Sequence, residues 1–257
     1  KAVMPENFDL LQQKKELEPW FGIEQEFFIM ENDETRPSKK SFNPSGWSGE
    51  ASTNSQGQYY CSVGSNNAFS RKVAEQAYHL SLEAGLNASG MNAEVAPGQW
   101  EIQIGPCCGI LAGDHVLIMR YILNRVGEIH NCQINLDPKP LKGSWNGSGC
   151  HTNFSTKLMR EGDNAMEYIH SSIEKLEKKH NEHMVIYGEG NEERMSGNYE
   201  TSNYDTFSSG VSDRSASIRI PLSTVINQKG YIEDRRPSSN MDPYLVTSKI
   251  FETVALN

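Results

Sequence analysis

The chain has 257 residues, of which 37% are hydrophobic and 22% are charged, a composition typical of a folded globular protein rather than a disordered one. Its formal net charge of -9 argues against a nucleic-acid-binding surface, because phosphate backbones are bound by clustered Lys and Arg. No apolar run approaches the ~20 residues that a membrane-spanning helix needs, so we expect neither a nucleic acid nor a membrane as a partner.

The first half of the chain predicts strands around one helix. Residues 20–30 alternate apolar with acidic and polar side chains, which predicts a strand. Residues 32–64 are rich in Pro, Gly, Ser and Asn and are expected to form turns and loops. Helical spacing over 66–86 predicts a helix, and 91–104 predicts two short strands separated by a turn at Pro97-Gly98.

The second half of the chain predicts three helices and a strand. Asp114 is a candidate N-cap for a helix over 114–130. A Gly-rich turn leads into a strand within 145–156, and 163–187 has the spacing of one long amphipathic helix. A last helix over 242–255 starts at an Asp-Pro pair. No repeat and no shift in composition marks a second domain, so we expect one large domain of mixed α and β structure.

Four glutamates in strand-like apolar surroundings are the first candidates for chemistry. Glu24 and Glu26 lie two residues apart, so on a strand both project from one face, and their mutual repulsion favours a bound cation. Glu94 and Glu101 also lie among apolar residues, where an unpaired carboxylate is costly to bury. A solvent-facing strand gives the same alternation, so both interpretations stay open.

A histidine and several arginines extend the candidate site. His151 follows the run Asn146-Gly147-Ser148-Gly149, whose glycines allow close backbone approach; a purely structural histidine is the alternative. Arg214 and Arg219 lie five residues apart, so on a regular strand they would face opposite sides unless a turn or bulge intervenes. Guanidinium groups suit phosphate and carboxylate ligands, and ordinary surface ion pairs are the alternative.

Carboxylates, one imidazole and several arginines together suit hard divalent cations, Mg²⁺ or Mn²⁺, beside nucleotide phosphates. The sequence contains no Walker loop, no kinase glycine-rich loop and no dinucleotide-binding fingerprint. Composition and spacing therefore predict metal-dependent phosphoryl transfer and leave the substrate open.

Five long runs resemble type II, eukaryotic-type glutamine synthetase in order and spacing, over nearly the whole chain. They are WFGIEQE from Trp20, NAEVAPGQWEIQIGP from Asn92, DPKPLKGSWNGSGCHTNFST from Asp137, ETSNYDTFSSGVSDRSASIRIP from Glu200 and GYIEDRRPSSNMDP from Gly230. The resemblance implies ATP-dependent ligation of ammonia to L-glutamate through γ-glutamyl phosphate. The implied fold is α+β, a curved, mainly antiparallel β-sheet with flanking helices.

The same resemblance implies a role for each candidate residue. The two implied metal sites are Glu26, Glu94 and Glu101, nearer glutamate, and Glu24, His151 and Glu233, nearer the ATP phosphates. The residues implied to bind glutamate are Trp145, Asn146, Gly147, Arg194, Arg214 and Arg235. Those implied to bind ATP are Glu101, Gln103, Pro106, Asn153, Ser155, Arg214, Arg219 and Tyr231. The implied catalytic residues are Glu200 at the ammonium, with Arg214 and Arg235 at the phosphoryl groups.

The resemblance also implies a domain organisation and an assembly. Residues 19–257 correspond to the catalytic domain and 1–18 to a linker or remnant, while the family's N-terminal β-grasp domain is absent from this chain. Because that domain completes the neighbouring subunit's site in the family, we expect little or no activity from this chain alone. The family's two stacked pentameric rings predict a homo-oligomer, and the cytoplasm is the expected location, with an organellar one also open.

Three residues depart from the family pattern, namely Ser144, Tyr199 and Leu222, and they bear on glutamate affinity and on motion of the segment that carries Glu200. Two alternatives to the synthetase activity are a catalytically silent structural relative and a different ligase or kinase on the same fold. Retention of every candidate metal and phosphate ligand favours the synthetase over the silent relative.

Overall fold

An antiparallel sheet forms the centre of the protein. The computed structural model describes residues 15–32, 42–47 and 56–256. The strands are β1 (Trp20–Asn32), β2 (Phe42–Pro44), β3 (Ala88–Ala93), β4 (Gln99–Cys108), β5 (Cys132–Asn135), β6 (Cys150–Ser155), β7 (Ser209–Val211), β8 (Ile218–Ile220) and β9 (Ile232–Asp234). Within these ranges they form one sheet in the order β3-β4-β1-β6-β9-β8-β7, with β2 and β5 also paired to β1. The β7–β8 pair is parallel and the other pairs are antiparallel.

Helices flank this sheet and connect its strands. They are α1 (Arg71–Glu83), α2 (Leu111–Ile129), α3 (Lys157–Glu161), α4 (Ala165–Lys178), α5 (His180–Met184), α6 (Asn191–Arg194), α7 (Leu222–Asn227) and α8 (Pro243–Phe251). Single 3-10 turns occur at Lys15–Leu17 and Gln56–Gln58, and a π-helical turn at Glu252–Leu256 follows α8. None of these helices is long and apolar enough to cross a membrane. The predicted α+β fold with a mainly antiparallel sheet is confirmed.

One face of the sheet is apolar and is covered by α1 and α2. Alternate residues of β1, among them Phe21, Ile23 and Phe27, are almost completely buried on this face. Each such side chain contributes about 1.5–3 kcal/mol of hydrophobic stabilisation. Residues at the intervening positions, including Glu24 and Glu26, therefore project from the opposite face.

The turn between β3 and β4 lies at the predicted Pro97-Gly98 pair. Gly98 has a φ of 68°, in the left-handed region that favours glycine. A Cβ atom at this position would lie 2.7 Å from the backbone nitrogen of Ser45. The turn thus needs glycine for both its conformation and its packing. The two strands extend beyond the predicted 91–104 range at both ends.

Two helix starts were placed wrongly by sequence patterns. Asp114 does not cap α2, which begins at Leu111; its carboxylate instead accepts a hydrogen bond of 2.5 Å from the Tyr244 hydroxyl on α8. The helix predicted over 66–86 begins only at Arg71, because Ser70 adopts a left-handed conformation with φ 54°. Helix propensity alone could not reveal the bond between Tyr244 and Asp114 or the left-handed conformation of Ser70.

One further predicted helix is divided in two, and the strand predicted after the Gly-rich turn is present. The helix over 163–187 breaks at Lys179, whose φ and ψ of -104° and 12° are not helical, so α4 and α5 are separate. The strand predicted within 145–156, after a Gly-rich turn, is confirmed as β6. Of the segment 1–18, residues 1–14 lie outside the described ranges, and Glu18 forms an ion pair of 3.0 Å with Lys157.

Candidate active site

Strand register brings the acidic residues together. Glu24 on the central strand β1 lies opposite Gln103 on β4 and opposite His151 on β6. One step along the same face, Glu26 lies opposite Glu101. Directly opposed residues in an antiparallel pair have Cβ atoms about 4.5–5.5 Å apart, so these side chains share one small area of the sheet. The prediction that both β1 carboxylates project together is confirmed.

The next strand adds a second carboxylate, that of Glu233, to Glu24 and His151. On β9, Glu233 lies opposite Asn153 of β6, and its Oε1 atom is 3.4 Å from His151 Nδ1. Glu24 Oε2 is also 3.4 Å from that nitrogen. Glu24, His151 and Glu233 each offer one ligand atom, and these atoms lie within 4.8 Å of one another. The geometry is that of a group able to share one ion.

The donor set fits a hard divalent cation. Burial and the positive charge of Arg235 hold the pKa of His151 well below its usual range, so the imidazole is neutral at pH 7 and keeps a lone pair for a metal. Its contacts with the two carboxylates are therefore not ion pairs. Among the described residues, the buried Oε2 atom of Glu233 accepts no hydrogen bond, although Arg219 Nε contacts it as an ion pair. Carboxylate oxygens with one imidazole suit Mg²⁺ or Mn²⁺.

A second carboxylate group lies beside the first. Burial raises the pKa of Glu94 and of Glu101 well above the usual range, and nearby carboxylates, Glu26 for the former and Glu24 for the latter, raise it further. Burial also raises the pKa of Glu26, whose Oε2 atom accepts hydrogen bonds from Gln99 Nε2 at 2.9 Å and the Gly149 amide at 3.0 Å. Crowded anions in a desolvated place are best stabilised by a cation.

The residues of both groups other than Glu233 line a polar cavity of about 280 Å³. Predicted site residues that line it are Glu24, Glu26, Glu94, Glu101, Gln103, Asn146, Gly147, His151, Arg194, Glu200, Arg214, Arg219 and Arg235. The Trp145 indole does not line it. Its side chain is buried in a second apolar cluster and packs edge-to-face on Trp47, with ring centroids 5.2 Å apart.

Arg235 connects three parts of the cavity wall. Its guanidinium donates to Glu233 Oε1 at 2.8 Å, to the Glu200 carbonyl at 3.1 Å and to the Arg214 carbonyl at 3.2 Å. Arg214 in turn forms a largely exposed ion pair of 3.2 Å with Glu200. Arg214 lies in the loop before β8 and Arg219 lies on that strand, so the intervening turn lets both face one cavity.

Arg194 is the most deeply buried arginine in this wall, with 4% of its surface exposed. Its Nη2 atom donates to the carbonyls of Arg235, Arg236 and Pro237 at 2.6–3.2 Å. Burial lowers its pKa to about 10, which leaves it charged at neutral pH. A Cβ atom on Gly147 would lie 2.4 Å from Arg194 Cγ, so only glycine permits this approach.

A second, mostly apolar cavity of about 450 Å³ adjoins the first at Glu24 and Gln103. The predicted nucleotide residues that line it are Gln103, Pro106, Asn153, Ser155 and Tyr231. Glu101, Arg214 and Arg219, also predicted for the nucleotide, line the polar cavity instead.

Sequence patterns missed several cavity residues, among them Arg160 and Trp20 in the apolar cavity and Tyr60 in the polar cavity. Arg160 lies with its Cζ atom 3.9 Å above the Trp20 ring and donates to Ser155 Oγ at 3.0 Å. Tyr60 lines the polar cavity, and the centroid of its ring is 5.7 Å from Arg214 Cζ. Trp20 opens a distinctive sequence run and could have been proposed, whereas nothing local distinguishes Arg160 from a surface arginine.

Comparison with known proteins gives a consistent result. The sequence model described as "Glutamine synthetase, catalytic domain" matches residues 4–184. The chain is 49% identical over 248 residues to the glutamine synthetase of Agaricus bisporus, covering 96% of this chain and 68% of that protein. Identity is 52% to the glutamine synthetase nodule isozyme of Lupinus luteus and 50% to the glutamine synthetase cytosolic isozyme 1-1 of Oryza sativa subsp. japonica, with 93% of this chain and 65% of each relative covered. The chain spans about two thirds of the length of these relatives.

Proposed function

The chain belongs to the glutamine synthetase family, and from that premise we propose that it ligates ammonia to L-glutamate, with ATP converted to ADP and phosphate, through γ-glutamyl phosphate. The observation that carries the proposal is the convergence of Glu24, His151 and Glu233 beside an apolar cavity of nucleotide size. A carboxylate oxygen is a poor leaving group, and phosphorylation makes it displaceable by ammonia. Because ATP phosphorylates glutamate directly, the site has to bind these two negatively charged molecules side by side.

Charge neutralisation is the first requirement of this reaction. We assign Glu24, His151 and Glu233 to one Mg²⁺ or Mn²⁺ ion and Glu26, Glu94 and Glu101 to another. When bound, such ions neutralise phosphate charge and polarise phosphoryl oxygens. Arg235 and Arg214 also line this cavity, where guanidinium groups can stabilise negative charge on the transferred phosphoryl group. Arg219 is assigned to the ATP phosphates.

The two cavities are assigned to the two larger substrates. We propose that ATP lies along the apolar cavity, with its base near Tyr231 and Pro106 and its polar contacts to Asn153 and Ser155. Gln103, beside Glu101, lines both cavities, and we assign it a polar contact with ATP.

Glutamate is assigned to the polar cavity beside the segment Trp145, Asn146 and Gly147, with Arg194 near its carboxylate. Because the Trp145 side chain faces away from the cavity, we expect only its backbone to act there.

Glu200 is assigned to the amine half of the reaction. It lies in a loop at the mouth of the polar cavity, where its carboxylate can attract ammonium and accept a proton from it. Only neutral ammonia has the lone pair needed for attack on the acyl phosphate. A loop over the cavity also excludes water, which would otherwise hydrolyse that intermediate.

The activity is tested by following glutamine formation and ADP release from glutamate, ammonium and ATP, with Mg²⁺ or Mn²⁺ and with a chelator, in the complete natural polypeptide. We expect metal-dependent glutamine formation, lost in the Glu24→Gln variant. Metal binding without turnover would indicate the silent structural relative. Turnover only with a different acid or amine would indicate another ligase. Either of these outcomes contradicts the proposal.

The organisation of the whole protein is proposed on the same basis. We assign residues 19–257 to the catalytic domain and 1–18 to a preceding linker, in a homo-oligomer of the ringed family type, without a nucleic-acid partner. A rice relative is named a cytosolic isozyme, which supports a cytoplasmic location. Size measurement of the complete polypeptide by light scattering tests the assembly.

A further inference from the structure

The segment that carries Glu200 has an unfavourable backbone. Tyr199 and Glu200 have φ values of 55° and 61°, and Gly197 has a φ of 76°. The left-handed region is uncommon for residues other than glycine, and two in succession with large side chains is rarer still. Such a conformation persists only where surrounding contacts hold it.

Hydrogen bonds within the segment close the turn but do not fix it over the cavity. The Gly197 amide donates to the Ser202 carbonyl at 3.3 Å, and the Thr201 amide donates to the Asn198 carbonyl at 3.2 Å. Contacts from outside the segment include bonds from Arg235 to the Glu200 carbonyl at 3.1 Å and from Arg214 to Glu200 Oε1 at 3.2 Å, and a bond from Thr201 Oγ1 to the Arg194 carbonyl at 3.1 Å. None of these bonds involves the Tyr199 side chain.

Lys139 contacts the Tyr199 side chain. Its Nζ atom lies 5.2 Å from the centroid of the Tyr199 ring, within the range of a cation–π interaction. The same ammonium group donates to the Trp145 carbonyl. Trp145 adjoins Asn146 and Gly147, which line the polar cavity. One cation therefore joins the loop containing Trp145 to the Glu200 segment, and both segments line the polar cavity.

We propose that Lys139 and Tyr199 are positioning residues that hold the Glu200 segment against the loop containing Trp145. The consequence for catalysis rests on the proposed function, because it uses the role assigned to Glu200. An ammonium group over an aromatic ring at a partly exposed position changes an equilibrium by about two- to fivefold. The contact thus biases the segment towards the closed position without locking it, as substrate entry and product release require.

The first test does not depend on activity. Hydrogen–deuterium exchange of residues 196–204 is compared among variants of the complete polypeptide. Tyr199→Leu and Lys139→Met remove the contact, and we expect the Gly197 and Thr201 amides to exchange about two- to fivefold faster. Tyr199→Phe keeps the ring and should leave exchange unchanged. Lys142→Met is the matched lysine control, since Lys142 pairs only with the exposed Glu193 in the described structure. Equal exchange in all four variants overturns the proposal.

The second test measures coupling of ATP use to amide formation. A loosened Glu200 segment admits water, so Tyr199→Leu should raise the ratio of ATP hydrolysed to glutamine formed by about two- to fivefold, with the ratio restored in Tyr199→Phe. Faster exchange with unchanged coupling would overturn the positioning role. If the parent protein forms no glutamine, the proposed function fails, while the exchange experiment still decides whether the contact exists.

Discussion

At the scale of single residues, His151 is the side chain that separates a metal site from a cluster of buried acids. It is the one nitrogen donor between Glu24 and Glu233, and burial keeps it neutral at pH 7. Carboxylates alone would also bind Mg²⁺, so the imidazole is expected to matter more for Mn²⁺, which accepts nitrogen readily.

We expect His151→Asn to weaken Mn²⁺ binding by about 10- to 100-fold, the effect typical of changes within and around a metal's ligand set. The reason is the loss of one donor without any change in net charge at pH 7. Isothermal titration calorimetry with Mn²⁺ measures the effect. His79→Asn, at an exposed position on α1, is the control and should bind as the parent does. Equal affinity in both variants would remove His151 from the site.

At the scale of elements, a buried polar network fixes α2 to the strand that carries the acids. Arg120 on α2 donates to Gln25 Oε1 at 2.7 Å and to the carbonyls of Met241 and Ser239 at 2.9 and 3.0 Å. Gln25 is fully buried on the core face of β1, between Glu24 and Glu26. Ser239 Oγ donates to the Glu26 carbonyl at 2.5 Å. The backbone of the metal-facing strand is thus held from behind.

Arg120→Met should lower the free energy of unfolding by about 1–3 kcal/mol. Three hydrogen bonds are lost, but Gln25 Oε1 and the Ser239 carbonyl each keep another donor. Urea denaturation measures this change. Arg125→Met on the same helix is the control: its ion pair with Glu128 is more than half exposed, so a change below about 0.5 kcal/mol is expected. A comparable loss in both variants would show that the network adds nothing beyond helix propensity.

A second network lies behind β9 and gives the fold a dependence on pH. Fully buried His183 on α5 contacts the Tyr187 hydroxyl at 2.5 Å and Thr253 Oγ1 at 2.9 Å, and Tyr187 donates to Asp234 at 2.7 Å. Burial, with the charge of Arg236 adding to it, lowers the pKa of His183 from 6.5 to about 3. Between these values the unfolded chain binds a proton that the folded chain does not.

Stability should therefore be complete above pH 6.5 and fall as the pH decreases towards 3. For His183 alone, the loss between pH 7 and pH 5 is about 2 kcal/mol. Denaturation of the parent and of His183→Gln at both pH values isolates the contribution of His183 to this loss of stability, because the other buried histidines remain in both proteins. We expect a smaller difference between the two pH values in the variant. An identical pH dependence would show that the pKa of His183 is the same in the folded and unfolded states.

Elements also show what sequence patterns could and could not provide. Alternation along β1 was sufficient to place Glu24 and Glu26 on one face, because the period of a strand leaves no choice. The break at Lys179 and the true start of α2 were not predictable, since neither helix start has a side-chain cap that a sequence pattern could indicate. The family resemblance identified Arg194 and Glu233 as site residues, which spacing alone could not do. For Glu233 the reason is that the register between β6 and β9 is set only in the folded sheet.

At the scale of the whole molecule, bound ions should stabilise the fold. Both carboxylate groups join strands distant in sequence, and an ion that binds only the folded state adds about 2.7 kcal/mol at 100 times its Kd. We expect Mn²⁺ or Mg²⁺ to raise the Tm by several degrees and EDTA to reverse this, measured by differential scanning fluorimetry. Ca²⁺ serves as a size control. A Tm unaffected by any divalent ion would contradict the assignment of both groups as metal sites.

β1 contributes its two faces to two different purposes, and a shift of one residue against its neighbours would exchange them. Phe21, Ile23 and Phe27 would then meet the cavity, while Glu24 and Glu26 would enter the apolar layer without counter-charges. A shifted register is therefore destabilised by exposed apolar side chains and by buried carboxylates, and the ion site forms only when the strands are in the correct register. Few substitutions on β1 can therefore change the metal preference without lowering the yield of folded protein. Substitutions in the loops around Glu94 and Glu200 can change the site with less effect on folding.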